Sequence, residues 1–430
     1  MNKFAASLGL VALGTTALHA VEATALNTMQ RSKPWSVAAS LRGFYDDNIN
    51  SSYNNRESSY GFELTPSVDF GLAGDQTSFD LGYQLNAKWY DNPPGGQTDH
   101  WDLTHTFDGY LAHTFSPRVD MVVRDSFVLG QEPDMLRAGD LPYSTVQYVP
   151  GNNIVNYGAI DFNVEATELL GFNVGYANAY YNYADDGGTA TAPSTAALLN
   201  RVENRVHLDS LWKVRPETSL ILGYEYGQYV YTADEPIGVE FLGGPNIYSS
   251  AKDSRSHTFY GGAQHAFTPT LSGTVKAGAQ YYDYYGDSLG GNEWSPYAVL
   301  NMRYQLRSTT EMNAGFTYSR SASDQAGAGT LNTLIKDTEV ALLYGSLSHE
   351  IVAHLVGTAK ATLQHATYNG GGPSYDGESY LFFGIGCDLA YQFTPNVSAH
   401  AGYNYDNNSS DIANQSYHRN RVYVGVTAGY

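Results

Sequence analysis

From Trp35 to the C-terminus the chain alternates apolar and polar residues with a period of two, in segments far longer than an ordinary strand. Phe79, Leu81, Tyr83, Leu85, Ala87 and Trp89 share one parity, against Asp80, Gly82, Gln84, Asn86 and Lys88 on the other. The same division separates Leu381, Phe383, Ile385, Cys387, Leu389, Tyr391 and Phe393 from Tyr380, Phe382, Gly384, Gly386, Asp388, Ala390 and Gln392. Successive strand residues face opposite sides, so each segment has one oily and one wet surface. About 18 such segments follow one another, each roughly 12 to 17 residues long. Strands of soluble domains average about 5 to 6 residues, whereas a tilted strand needs about 9 to 11 to cross a bilayer.

These lengths predict an all-β fold, a transmembrane up-and-down antiparallel β-barrel of about 18 strands over residues 35–430. Closure is required because an open sheet edge cannot leave its backbone groups unpaired in lipid. Connections alternate in length. Tight links fall at Gly74-Asp75-Gln76, Ser116-Pro117-Arg118, Leu169-Leu170-Gly171, Arg215-Pro216-Glu217, Thr268-Pro269-Thr270, Arg307-Ser308-Thr309, near Val352-Ala353-His354 and at Thr394-Pro395-Asn396. Longer segments separate them at Asn92–His100, Pro133–Asn153, Asp186–Leu199, Asp234–Asp253 and Asn369–Gly377. Short turns on one rim and long loops on the other fit an outer-membrane barrel, and an even strand count puts both termini on the periplasmic, short-turn side. Alternation falters at Tyr180–Tyr183 and Leu342–Ser346, where a bulge would re-aim side chains.

Residues 1–23 have a basic residue, Lys3, an apolar run from Phe4 to Leu18 and small residues at Ala20 and Ala23, the layout of a signal peptide for export. Residues 24–34 then read as a short periplasmic segment. No stretch of 18 apolar residues follows, so no transmembrane helix is predicted. The net charge of -20 argues against a nucleic-acid partner, and a single cysteine among 430 residues argues against a disulfide framework. Aromatics reach 13% although mean hydropathy is -0.34. Trp35, Tyr45, Trp89, Trp101, Tyr180, Tyr181, Trp212, Trp294, Tyr403 and Tyr405 stand near segment ends, where amphipathic rings would form interfacial girdles.

Parity assigns a lumen-lining set. Its bases are Arg42, Lys88, Arg124, Arg205, Lys276, Arg303, Lys360, Arg419 and Arg421, with Lys213. Its acids are Glu63, Asp69, Asp80, Asp102, Asp108, Asp161, Glu203, Asp209, Glu225 and Asp388, with Asp120, Glu165, Glu311 and Glu339. The opposite face is almost free of charge. Lys or Arg against hydrocarbon would cost about 2 to 4 kcal/mol at the midplane, so the charged face is the wet one.

Catalytic signatures are absent: no Gly-x-Ser-x-Gly, His-Glu-x-x-His or phosphate-cradling glycine loop occurs. His105, His113, His257 and His265 read as outward, and His207, His349 and His400 as inward. His207 with Asp209 is the one candidate acid-base pair. Acidic loop segments at Asp46-Asp47-Asn48, Asp185-Asp186, Asp234-Glu235 and Asp406-Asn407-Asn408 lack the spacing of a calcium loop and read as solvated charge. No cofactor or metal is predicted.

The sequence resembles the Putative beta-barrel porin 2 family of Gram-negative outer membranes over about residues 35–430. The resemblance is carried by Tyr45-Asp46-Asp47-Asn48-Ile49, by Leu64-Thr65-Pro66-Ser67-Val68, and by turns at Phe115-Ser116-Pro117, Phe267-Thr268-Pro269 and Phe393-Thr394-Pro395. It implies an outer-membrane barrel, sometimes associated with exopolysaccharide export, and supplies no catalytic residues. The terminal Tyr430, sharing a face with Val422, Val424 and Val426, is similar to the signal read by the barrel-assembly machinery.

The resulting expectation is a porin-like passive channel for small polar solutes with a mild cation preference, set among outer-membrane lipids. The alternative is a structural or polysaccharide-secretion accessory barrel with a closed lumen, and an outer-membrane barrel hydrolase is a third. The segment Glu132–Asn153, with Asp134, Arg137 and Asp140, is a candidate constriction loop.

Overall fold

The computed structural model describes residues 34–130, 145–149, 151–286, 291–307 and 309–430. The expected signal peptide, and all of the expected periplasmic segment but Pro34, lie outside the described residues. Eighteen long strands follow: β1 (Trp35–Asp46), β2 (Ser59–Ala73), β3 (Thr77–Tyr90), β4 (Trp101–Ser116), β5 (Val119–Gly130), β6 (Asn153–Glu165), β7 (Leu170–Asn182), β8 (Arg201–Arg215) and β9 (Thr218–Tyr231). The second half comprises β10 (Ser254–Thr268), β11 (Leu271–Tyr284), β12 (Gly291–Arg307), β13 (Thr310–Ser321), β14 (Ile335–Val352), β15 (Leu355–Gly370), β16 (Ser379–Thr394), β17 (Val397–Ser410) and β18 (Tyr417–Gly429). Each strand pairs antiparallel with the next, and β1 pairs with β18, so one 18-stranded sheet closes on itself. No helix among the described residues is long and apolar enough to cross a membrane.

Closure sorts the two parities. Leu41, Leu64 and Leu103 are about half exposed on the outside, whereas Arg42, Glu63, Lys88 and Asp102 stand directly opposite one another across β1–β4 on the inside. The start of β1 and the end of β18 meet at the short-turn rim, where the Tyr430 N–H donates to the Val37 carbonyl (2.8 Å) and the Val37 N–H to the Tyr430 carbonyl (3.1 Å). Register shifts sit beside the short turns, between Thr114 and Ser116, Lys213 and Arg215, Ala266 and Thr268, Gln305 and Arg307, Glu350 and Val352, and Gln392 and Thr394. A bulge there lets the chain turn tightly without disturbing the membrane-spanning register.

Leu342–Ser346 contains no bulge: β14 runs in unbroken register there, with Leu342 buried inside and the Tyr344 hydroxyl donating to Asn301 Oδ1 at 2.7 Å. Two side chains assigned across that supposed break therefore change sides. His349 is outward, against Thr310 Oγ1 at 2.8 Å, and Glu339 has outward parity near the loop rim. Tyr180–Tyr183 is likewise in continuous register up to Tyr181, which places Tyr181 inside with Ala177 and Ala179 rather than in the girdle.

Strand interiors hold almost no apolar core. That core sits at the long-loop end, where connections turn inward. A five-residue helix, Thr195–Leu199, is capped by Ser194, whose Oγ accepts from the Ala197 N–H, and buries Ala197, Leu198 and Leu199. Ile237 and Ile247 of a short hairpin, Leu334 and Val149 complete this cluster against Val155 and Tyr181 of the wall. A second cluster joins Val146 to Val340, Phe382 and Tyr417. Asp134, Arg137 and Asp140 of the candidate constriction lie outside the described residues, but the 145–149 part of that segment is packed into this cap.

Candidate functional site

The inner wall is the candidate site, and its charges are arranged in pairs. Arg42 makes a bidentate pair with Glu63 (2.6 and 2.7 Å), and Glu63 also accepts from Asn86. Planar guanidinium and carboxylate match best in this two-bond geometry. Arg421 reaches Asp406 at 3.1 Å, Arg303 reaches Glu311 at 3.2 Å and Lys213 reaches Glu165 at 2.8 Å. The Tyr423 hydroxyl donates to Asp388 at 3.0 Å, while Lys360 stands across from Gly386 on the same face.

These pairs leave the wall asymmetric. Asp69, Asp80 and Asp108 share the inner face of β2–β4, followed by Asp120 and Asp161 on β5 and β6; Arg124 opposes them with its guanidinium 5.8 Å from the Tyr110 ring centre. The bases gather across the lumen on β8–β13. Arg201 pairs with Glu203 at 2.7 Å, and Arg205 lies two residues farther on the same face, across from Gly227, while Glu225 stands across from His207. Arg320 binds Asp337 (2.7 Å), Glu293 (2.8 Å) and Glu339 (3.2 Å). Lys276 pairs with Asp209 at 2.7 Å, and the Tyr260 hydroxyl donates to the same carboxylate at 2.5 Å. Gly223 makes that contact possible, because a Cβ there would collide with both Asp209 and Tyr260.

The candidate acid-base pair does not form. His207 Nε2 lies 2.6 Å from Asn173 Oδ1 and 3.4 Å from Asp161, whereas Asp209 is taken by Lys276 and Tyr260. His207 and Asp209 share a face but project toward different neighbours. The acidic loop segments are ordered, and not merely solvated. Asp46 is buried against Arg419, Asp47 accepts two bonds from Asn420 at 2.6 Å, and Glu235 Oε2 accepts from Ser194 Oγ at 2.6 Å. Donors of the protein itself meet these three carboxylates.

Under the cap, between β6 and β14, the wall encloses a cavity of about 320 Å³. It is rich in tyrosine: Tyr181, Tyr229, Tyr231, Tyr282 and Tyr284 all line it. Lys252, which parity could not place because it lies in a loop, descends from the cap with its Nζ 5.0 Å from the Tyr231 ring centre and 3.4 Å from the carbonyls of Leu198 and Ser323. Burial, assisted by Arg201, lowers its ammonium to about 7, against the pull of Asp337 and Asp324. Burial also raises the Asp324 carboxyl in the neighbouring loop. Arg201, Lys252 and Arg320 were missed by periodicity because each stands at or beyond a strand's end. The one local signal was the cluster of basic residues at loop-strand junctions.

The family model of Putative beta-barrel porin 2, the family the sequence resembles, matches residues 339–430, covering most of β14 and all of β15–β18. Among solved structures, the chain is similar to the outer membrane protein OpdK from Pseudomonas aeruginosa, at 12% identity and a TM-score of 0.47, over 92% of this chain and 99% of that one. It is also similar to OccAB4 from Acinetobacter baumannii, at 10% identity and a TM-score of 0.46, over 93% and 99%. A third is the siderophore receptor PirA from Acinetobacter baumannii, at 9% identity and 0.45, over 92% and 80%. No curated protein matches the chain.

Proposed function

We propose that this outer-membrane barrel is a porin-like passive channel for small polar solutes, with a mild cation preference. The observation that carries the reading is the inner wall itself, a continuous face of paired charges and hydroxyls inside a closed barrel of 18 strands. Barrels of about 16 to 18 strands are wide enough for water, and a wet lumen is the one environment in which so many charges are cheap. The acidic stretch on β2–β6 supports the cation preference, since carboxylates in excess over bases concentrate cations. Signal-peptide removal from residues 1–23, short turns and both termini in the periplasm, and recognition of Tyr430 by the assembly machinery belong to the same reading.

Single-channel recording in planar bilayers tests it. Stepwise conductance with a reversal potential favouring potassium over chloride is the expected result; no conductance, or clear anion selectivity, overturns it. One observation favours a second reading, a structural or secretion-accessory barrel with a closed lumen: two buried apolar clusters join loops to strand ends at the mouth. Liposome swelling with solutes of graded size separates the two, because a closed barrel gives no swelling even with the smallest.

A further inference from the structure

We infer that the outer face of β5–β8 is a contact surface for a second copy of this chain. What marks it is a carboxylate on the side of the wall that faces lipid. Asp125 stands near the middle of β5, and on the same face Met121 and Val123 lie toward the short turn and Phe127 toward the long loop. It is exposed, and stands across from Gly109 of β4 and Gly158 of β6. Phe107, two residues from Gly109 on that face, is about half exposed. Among the described strand residues, the other Asp, Glu, Lys and Arg side chains of outward parity stand at or near strand ends, such as Arg255 with Asp283 at 2.8 Å. A charged side chain on the lipid face is least favourable near the midplane, so this placement asks for a reason.

Asp125 belongs to a polar patch. Its cross-strand row runs through Gly158 to Asn178 of β7 and Asn204 of β8, and Asn156 lies two residues from Gly158 on the same face. Within the chain these groups satisfy one another only in part. Asn156 Nδ2 is shared between the two Asp125 oxygens, at 3.1 and 3.2 Å. Asn178 Nδ2 and the Tyr176 hydroxyl both donate to Asn204 Oδ1, at 3.0 and 2.7 Å. Among the described residues, nothing accepts from Asn204 Nδ2 and nothing donates to Asn178 Oδ1. Gly158 leaves the carboxylate room to lie across β6, because a Cβ there would come within 3.0 Å of Asp125 Oδ1.

Lipid tails offer no hydrogen bonds, so these groups are satisfied from outside only by polar groups of another protein. The patch carries its own complement. A carboxylate short of donors stands at one end and an amide donor without an acceptor at the other, three strands or about 14 Å apart. A copy related by a twofold axis sets donor against acceptor twice over, which is the condition an isologous interface must meet. Shape agrees with chemistry. Beside the patch the outer wall is hollowed between Leu208, Leu222 and Phe259, where Gly261 and Ala277 face outward and leave space for a neighbour's side chains.

This surface goes beyond the channel reading, since it rests on the outer face alone and stands whether or not the lumen conducts. Native mass spectrometry of the full barrel, extracted from outer membranes in mild detergent, tests it together with disulfide cross-linking in liposomes. For cross-linking, the exposed Cys387 is changed to serine and a single cysteine is placed by Val206→Cys, beside Asn204, or by Leu389→Cys on β16 across the barrel; both sites are about half exposed. The expected mass is that of an assembly of identical chains, and Val206→Cys is expected to cross-link where Leu389→Cys does not. Asp125→Leu/Asn204→Leu, which suits the face better to lipid, is expected to lower the assembled fraction at least tenfold, with heat-modifiable migration on SDS gels showing that the variant is folded. The proposal falls if the parent is a monomer, if its mass reveals a different protein in place of a second copy, if both cysteines cross-link equally, or if the folded double variant assembles as the parent does.

Discussion

Replacing Asp46 by alanine should loosen the seam at which the first and last strands meet. Asp46 ends β1, and its carboxylate takes Arg419 of β18 through Nε at 2.7 Å and through Nη2, and also accepts from the Asn48 N–H at 3.0 Å. Both side chains are nearly sealed from solvent, at 2% and 4% exposure. Removing one member of a buried pair costs about 3 to 5 kcal/mol, because the remaining charge stays buried without its counter-ion. Loss of the Asn48 bond adds about 1 kcal/mol. By contrast, Lys213→Ala breaks a pair exposed by 39% and 35% and should cost under about 1 kcal/mol. Urea titration of the barrel in lipid vesicles, read by tryptophan fluorescence and gel mobility, should show a clear fall in midpoint for Asp46→Ala and little change for Lys213→Ala. A double variant, Asp46→Ala/Arg419→Leu, should recover part of the loss, since the stranded cation is gone. Equal midpoints for Asp46→Ala and the parent, or a double variant weaker than the single, would refute the argument that buried charge pairing holds the seam.

Three further outcomes are expected. Val424→Lys puts a cation on the half-submerged outer face and should destabilise the barrel by about 2 to 4 kcal/mol, whereas Thr427→Lys on the inner face should be nearly neutral; paired urea titrations in vesicles compare them. Because burial lowers Lys252 to about 7 in the folded cap, the unfolded cap binds more protons from there up to the ordinary lysine range. Cap stability should therefore rise with pH across that window and be lowest below pH 7, with Lys252→Met flattening the dependence; proteinase K protection of the 232–253 loop at pH 6 and pH 9 reads this. Finally, deletion of Tyr430 removes the ring that packs 5.9 Å from Trp35 together with two backbone bonds to Val37, and should lower the yield of assembled barrel on heat-modifiability gels.

The strands were legible because their evidence is local. Alternation such as Leu41-Arg42 or Leu64-Glu63 states which side faces lipid, and closure needs only that each strand pair with the next. Turn positions were legible for the same reason, through Pro117, Pro216, Pro269 and Pro395 at the bends. The cap was not, since Ile237, Leu334 and Val149 come from three loops and no window contains more than one of them. Tyrosine misled in one respect. Trp35, Tyr45, Trp212 and Tyr403 are exposed outside as girdle residues should be, yet Tyr181, Tyr260, Tyr282 and Tyr284 share the hydrophilic parity and are buried inside. Ring amphipathicity suits an interface and a polar lumen equally well, so residue type alone does not choose between them. Composition likewise hid the acidic stretch on β2–β6, because a net charge sums over the whole chain.

The shared cap has a consequence for how the outer rim can vary. Loops that hold one another's apolar side chains are not free to change length or sequence one at a time; an insertion beside Leu198 must be tolerated by Ile237 and Leu334 as well. Freedom to diverge is left to the tips, where Tyr53, Phe241 and Leu242 project with most of their surface bare. In the proposed orientation, with the long loops outside, a phage or antibody selecting against this protein would meet a rim that is constant at its base and changeable at a few points, and escape variants should cluster at those tips.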